Sequence, residues 1–532
     1  MTSFVKESAL SQADKPANTR ALPPVLGRLL SGTFWLAIRV PVQVVLSLWT
    51  LRLILEGPGK DQLGAYGFAW GFGFFQFLFE FGASSALQRR ISDAWTRGDH
   101  DGVNRSIASG MTFYAAMAVL QAAALMGVAY LAAPHSEFTG DSYRLVIKLL
   151  WLQAVTAPCY GMSVVVSSVI QAARRYDFVP RLELLIAVLR FLVLIVGVKT
   201  GVDFFVIVAA QTFLQIGLGL GPSLWVMNRE LGYRLHFAGA GWADYRALWH
   251  ISFYMALIQI SVVMADKIDT TILGFMLHEP GPRIAEYNLV SKPFLQLRQT
   301  GWMLAYMVMP AVASLAAARD ERGLERVKYD GARLHIGVLL PVGLLAWIHA
   351  APFLSICFGD GVGYDAGELA PLMRLFLIAA LPIVLSVPVQ MSIGLGKIKV
   401  IALAALIGSL VNLPVSCLLT ARLGMPGVIW GTVLTTLFSN LIAPAIYVFR
   451  AIPIDPWVFL KRTCAAPAAG AAALIAASWG VALATPPSLI LEHRTLVFFG
   501  QLAIGVAAYG AGYLLVPTGR GDLAELGARF RR

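Results

Sequence analysis

Chemistry in this chain is to be sought where ionisable and amide side chains fall inside long apolar runs. In the run 31–54, Arg39, Gln43, Ser47 and Thr50 follow three- and four-residue steps, which on a helix makes one polar stripe. In the run 63–88, Gln76 and Glu80 stand one turn apart. The run 247–276 carries Gln259, Asp266, Asp269 and Thr270 as a stripe with Lys267 beside it, and the run 284–316 carries Asn288, Lys292, Gln296 and Gln299, with Arg298 in mid-run. A charge at the centre of a bilayer costs about 2.5–3.5 kcal/mol on insertion scales and needs a compensating environment. The residue types divide by chemistry. Arg39, Arg52, Lys267, Lys292 and Arg298 suit a phosphate, arginine through two parallel hydrogen bonds. Gln43, Gln76, Gln259, Asn288, Gln296 and Gln299 suit hydroxyl groups. Glu80, Asp266 and Asp269 suit a proton or sodium ion.

Depth along the helices suggests two ion pairs. Arg39 and Glu80 each lie about eight residues from the same boundary, about 12 Å at the helical rise, so they are expected to meet. Asp269 and Lys292 lie close to the opposite boundary and are expected to neutralise each other, while Arg298 has no evident partner. Tyr66, Trp70, Phe74, Phe77 and Phe81 offer faces for stacking, but their rings point all round a helix, which is the pattern of ordinary packing.

These side chains need elements to hold them, and composition says which. Of 532 residues 58% are apolar, 14% are charged and mean hydropathy is +0.69, so an all-α polytopic membrane protein is expected. The apolar runs are about twenty residues or longer, enough to span hydrocarbon as helices, whereas barrel strands would alternate over about ten. The runs are 31–54, 63–88, 107–133, 145–170, 181–199, 203–227, 247–276, 284–316, 334–357, 369–393, 399–421, 427–449, 464–484 and 495–516, predicting fourteen helices. Lysine and arginine are concentrated in alternate connections, which places both termini in the cytoplasm by the positive-inside rule. The expected location is the bacterial cytoplasmic (inner) membrane. No cleaved signal peptide is expected: the first residues are polar, and the run after them is too long for a signal core. The net charge of +12 is expected to reflect topology and anionic lipid, not nucleic acid.

Several functions are excluded by what the connections lack. They hold no nucleotide-binding domain and no glycine-lysine phosphate loop, and 134–144 and 358–368 are too short for an external catalytic loop, so no enzyme is expected. Cys159, Cys357, Cys417 and Cys464 and the histidines His100, His278, His335 and His349 show no metal-ligand spacing. Neither cofactor nor metal is expected.

The chain reads as a duplication. At an offset of 221 residues, 96–105 (TRGDHDGVNR) falls on 317–326 (AARDERGLER), pairing Asp99 with Asp320, Gly102 with Gly323 and Arg105 with Arg326. The same register pairs Ser31 with Ser252, Tyr66 with Tyr287 and Tyr143 with Tyr364. The expected organisation is a cytoplasmic segment 1–30, a six-helix lobe 31–228, a second 229–450, two additional helices within 451–516 and a basic cytoplasmic tail 517–532. Paired lobes are a transporter architecture.

The run 267–274 (KIDTTILG), then 285–288 (AEYN), Pro310 and the acidic segment from Arg319 resembles the start of the second lobe in polysaccharide-repeat flippases. The first-lobe counterpart, 63–67 (LGAYG), 81–83 (FGA) and 89–92 (RRIS), is similar to the same family's beginning. These flippases belong to the multidrug, oligosaccharidyl-lipid and polysaccharide exporter superfamily. The resemblance implies two six-helix lobes around a central cavity lined by helices 1, 2, 7 and 8, with alternating access. Fourteen helices, and not twelve, is similar to the lipid II flippases. A pyrophosphate-linked glycan would use the cations and amides above, with membrane lipids around it, H+ or Na+ as the coupling ion and glycan-assembly proteins as functional partners. The alternatives are a proton- or sodium-coupled small-molecule exporter and a membrane enzyme acting on a lipid-linked sugar.

Overall fold

The computed structural model describes residues 24–80, 83–173, 175, 178–242, 244–246, 261, 267–306, 308–359, 364–452, 454–486 and 493–530. The expected positions Gln259 and Asp266, Ser252 of the repeat and Phe81 lie outside these.

The described chain is helical almost throughout, without strands. In the first half α1 (Pro24–Glu56) is followed by α2 (Lys60–Gly71), α3 (Phe74–Glu80), α4 (Ala83–Thr96), α5 (His100–Gly127), α6 (Gly140–Ala172), α7 (Phe178–Lys199) and α8 (Phe204–Trp225). The second half has a helical segment 267–276, then α9 (Pro280–Tyr306), α10 (Val308–Ala317), α11 (Glu321–Arg326), α12 (Ala332–Ile348), α13 (Ala350–Phe358), α14 (Ala366–Ile378), α15 (Ser386–Gly394), α16 (Lys399–Leu423), α17 (Met425–Leu437) and α18 (Ala443–Ala451). A short α19 (Pro456–Phe459), α20 (Ala465–Ala484), α21 (Arg494–Leu515) and α22 (Pro517–Phe530) complete it. Among the described residues nine helices are long and apolar enough to cross a membrane. Their outward faces stay apolar, with Leu131, Val155, Leu418 and Trp479 exposed, as a lipid solvent allows. The protein is a multi-pass membrane protein.

The repeat is visible in backbone geometry. Asp99 caps α5 by accepting from Gly102 N at 2.7 Å, and Asp320 caps α11 by accepting from Gly323 N at 2.9 Å. The turns before them match bond for bond: Asp99 N donates to Ala94 O as Asp320 N does to Leu315 O, and His100 N to Gly98 O as Glu321 N does to Arg319 O. The turn needs a left-handed residue, φ 69° at Gly98 and φ 53° at Arg319, so the second copy holds a side chain where glycine is the unstrained choice.

The two halves meet at the end opposite these caps. Helix α2 packs along α9, and a Cβ on Gly64 would lie 2.0 Å from the Gly281 carbonyl oxygen, so the helix backbones touch. Below this crossing Gly67 faces Asn288, Gly71 faces Thr270, and Gly274 faces the ring of Phe68. The main core, including Leu63, Phe68, Leu149, Phe294, Phe376 and Val428, runs through this junction. At the other end separate cores form, around Leu87, Ile107 and Val165 in the first half and around Val312, Met391 and Val448 in the second. Among the described residues no comparable packing joins α4 to α10, so the halves are closed together at one end only.

Three sequence expectations change. The run 63–88 is not one helix: Phe72 and Gly73 separate α2 from α3. The run 334–357 begins earlier, at Glu321, and bends at His349 between α12 and α13. Most of the basic tail is folded: α22 docks Asp522, 6% exposed, against Arg333, 5% exposed. Arg333 reaches Asp522 through two bonds of 2.7 and 2.5 Å and also donates to the Arg462 carbonyl, while Tyr513 donates to Asp522 at 2.6 Å. Composition showed the tail's arginines but not the one acid that finds a buried partner 189 residues away.

Candidate functional site: a glutamine-lined cavity flanked by buried acids

A cavity of about 690 Å³ opens within the first half, lined by residues from α2 to α8. Six glutamines face it: Gln76, Gln88, Gln121, Gln153, Gln171 and Gln215. Helix α6 supplies the longest polar edge, because Gln153, Thr156, Tyr160, Ser163, Ser167 and Gln171 follow steps of three and four residues on one face. Some amides are fixed by the fold: Gln153 donates to the Ala69 carbonyl at 2.9 Å and Gln88 to Gln171 at 2.6 Å. Charge enters from Glu183 and Arg190 on α7 and from Lys267 of the second half. Arg190 donates to Gln215 at 2.7 Å. The volume is that of a small-molecule site, about 300–1,000 Å³, but the lining is hydroxyl- and amide-rich.

Glu80 closes one wall. It is 3% exposed and accepts from Tyr114 at 3.2 Å and Tyr160 at 3.4 Å, one hydroxyl on each oxygen. Tyr160 is in turn bonded to Gln76. A recess of about 10 Å³ adjoins Glu80, and Gln76, Gln121 and Tyr160 line both the recess and the large cavity. Such a recess holds about one water, so Glu80 is one side-chain layer from the cavity.

The expected Arg39–Glu80 pair is not formed. Arg39 is paired with Glu183, because α1 packs against α7 and equal depth does not make α1 and α3 neighbours. Nor do Asp269 and Lys292 pair. Asp269 is fully buried and accepts from Tyr287 at 2.7 Å and Thr432 at 2.6 Å, while Lys292 lies within electrostatic range of Lys267. Four residues separate Lys292 from Asn288, which meets α2 at Gly67. Gln43 and Gln299 are exposed, and Gln296 is half-buried. Arg52 is outside the cavity lining, bonded to Glu56 at 2.7 Å and to the Ile356 carbonyl at 3.3 Å across the halves. Tyr66 stacks on Trp70 at 4.7 Å between centroids, Phe74 lies tilted against Phe75 at 4.3 Å, and Trp70 also lines the cavity.

Arg298 is apart from the large cavity. Its guanidinium lies 5.5 Å from the Phe294 ring and lines a separate pocket of about 80 Å³ within the second half, with Trp302, Gln390, Asn412, Thr436 and Ser439. Among the described residues no group of three metal-ligating side chains occurs, and the four cysteines are free.

Residues 36–196 match the MatE family model. A structure of the lipid II flippase MurJ in an inward closed conformation superposes with a TM-score of 0.67 at 14% identity, covering 90% of this chain and 98% of that one. The chain has the MATE and MurJ fold. An inward-facing multidrug resistance MATE family transporter of the MOP superfamily superposes with a TM-score of 0.62 at 14% identity, over 77% of this chain and 94% of that one. An outward-facing MATE structure gives 0.56 at 15% identity, over 80% and 97%. No curated protein sequence matches. In MATE-fold terms the large cavity, Glu80 and Arg39 fall on α1 to α8, and most of that stretch is what the family model matches.

Proposed function

We propose that this protein is an alternating-access transporter that carries a polyprenyl-pyrophosphate-linked oligosaccharide from the cytoplasmic to the outer leaflet. The observation that carries the reading is the six-glutamine cavity with Arg190 and Lys267 at its edge. A hydrophobic drug gains little from an amide lining, since buried amides left without partners cost free energy. A glycan supplies hydroxyls to those amides, and its pyrophosphate supplies the counter-charge for Arg190, Lys267 and the neighbouring Lys292. The superposing structures include one described as a lipid II flippase and others described as inward- and outward-facing, which agrees with a carrier that opens to each side in turn.

In this reading the end carrying the Asp99 and Asp320 caps faces the cytoplasm, where the halves are not packed together. The headgroup enters the cavity sideways while the lipid tail stays in the bilayer. Rocking of the halves then parts the Gly64–Gly281 crossing and opens the other side. Glycan-assembly proteins supply the substrate from the same membrane.

A second reading is favoured by the buried acids. Glu80, held by two tyrosines, and Asp269, held by Tyr287 and Thr432, suit a proton- or sodium-coupled exporter of small molecules, in which these acids release and rebind the ion. Native mass spectrometry separates the two. A short-chain prenyl-pyrophosphate disaccharide is expected to bind the purified protein and to be displaced by Lys267→Ala with Arg190→Ala. Binding of lipophilic cations in place of the disaccharide, at the same variants' expense, would favour the exporter.

A further inference from the structure

The second-half pocket behind Arg298 is not used by the mechanism above, and its chemistry is specific. Gln390 on α15 lines it, is 2% exposed, and its Oε1 has no hydrogen-bond partner. A buried amide oxygen left unsatisfied costs free energy that a donor would recover. Asn412 on α16, also 2% exposed, has its oxygen saturated by Ser416 at 2.9 Å and Thr435 at 3.0 Å, which turns the remaining valence of that amide into N–H donors. Arg298 offers further donors from α9. The lining therefore offers a buried acceptor from Gln390 beside donors from Asn412 and Arg298. Ala379, Ala380, Ile383, Ile401 and Ala405 give it one apolar stretch of wall, beside the hydroxyl residues Ser386, Ser409, Thr436 and Ser439.

Size narrows the occupant. About 80 Å³ holds roughly five to eight waters at about 10–15 Å³ each, fewer heavy atoms than a hexose carries and enough for a substituent of four.

We propose that this pocket binds the acetamido substituent of an N-acetylated amino sugar, its N–H donating to Gln390 Oε1, its carbonyl accepting from Asn412 or Arg298, and its methyl lying on the alanine and isoleucine wall. The choice of a sugar substituent rests on the glycan reading above; the pocket's offer of an acceptor beside donors does not. It makes the second half a selector for amino sugars while the first half holds the glycan's hydroxyls.

Trp302 lines the pocket and is 36% exposed, so it reports occupancy. N-acetylglucosamine titrated into the detergent-purified full-length protein is expected to give a saturable change in tryptophan emission that Trp302→Phe removes. Glucose should give none at the same concentrations. Gln390→Met, close in volume but without the amide, is expected to weaken the response by about fivefold or more, the worth of one hydrogen bond, with the variant's monodispersity showing that it folds. An equal response to glucose, no saturable response, or an unchanged Gln390→Met titration overturns the proposal. So does the same Trp302 change with inorganic phosphate, which would make the pocket an anion site through Arg298. Because a monosaccharide needs no lipid and no transport, N-acetylglucosamine binding without leaflet exchange sinks only the flippase reading, and exchange without this binding sinks only the pocket.

Discussion

Replacing Gly64 with alanine is expected to force the halves apart at the end where they now meet. The added Cβ would lie 2.0 Å from the Gly281 oxygen and 2.4 Å from its Cα. Both neighbours are backbone, so no side chain can rotate away, and relief requires α2 and α9 to separate. Overpacking of this kind costs about 1–3 kcal/mol. If the crossing exists only in the state closed at this end, that cost shifts the balance between states by a factor of about 5–150. Spin labels at Arg144→Cys and Glu368→Cys, one in each half near this end, would report the separation by double electron-electron resonance, with the four native cysteines replaced. Gly64→Ala should move population from the short to the long distance. Gly217→Ala, where nothing lies within 4 Å of the new Cβ, should not. An unchanged distribution in Gly64→Ala would refute the claim that this crossing is the closed gate.

Two further outcomes follow from the charged contacts. Asp522→Ala leaves Arg333 buried without its main counter-ion, a change that costs about 3–5 kcal/mol for buried pairs; a lowered melting temperature and loss of hydrogen-exchange protection across α22 should accompany it, and wild-type protection would argue that α22 is held by something else. In the connection between the halves, Asp244 is bonded to Arg90 at 2.5 Å. Burial acts to raise its pKa, but the Gly241 N–H and the Arg90 guanidinium outweigh it and hold the carboxyl below its ordinary 3.8. A depressed carboxylate pKa contributes stability that is complete above the unfolded value and fades as pH falls through the folded one. Exchange protection of 231–246 should therefore persist down to about pH 4 and be lost below it, and Asp244→Asn should show the low-pH behaviour at pH 7; protection that ignores pH in the wild type would remove Asp244 from the clamp.

The fold class was legible because a lipid solvent leaves its mark on every spanning segment: long apolar runs separated by short charged turns. The Asp99 and Asp320 caps were legible too, since an N-cap is a local device that repeats in sequence when it repeats in structure. The ion pairs were not. Arg39 and Glu80 share a depth, but depth does not say which helices touch, and α1 turned out to face Glu183 on α7. The cavity was missed for a related reason. Gln121 and Gln215 stand on largely apolar helices and Gln88 in the charged run of α4, and they gain meaning only where these helices converge with α6 and α7. One signal was available: the three- and four-residue steps from Gln153 to Gln171 on α6.

The central claim is movement of a lipid-linked sugar between leaflets, and the most direct measurement is leaflet exchange in vesicles holding the purified protein and a fluorescent polyprenyl-pyrophosphate oligosaccharide. With a quencher added outside, the labelled lipid initially protected in the inner leaflet should become accessible far faster than in protein-free vesicles, and Arg190→Ala with Lys267→Ala should return the rate to that baseline. Exchange no faster than in protein-free vesicles, with the same preparation moving a lipophilic cation, would contradict it.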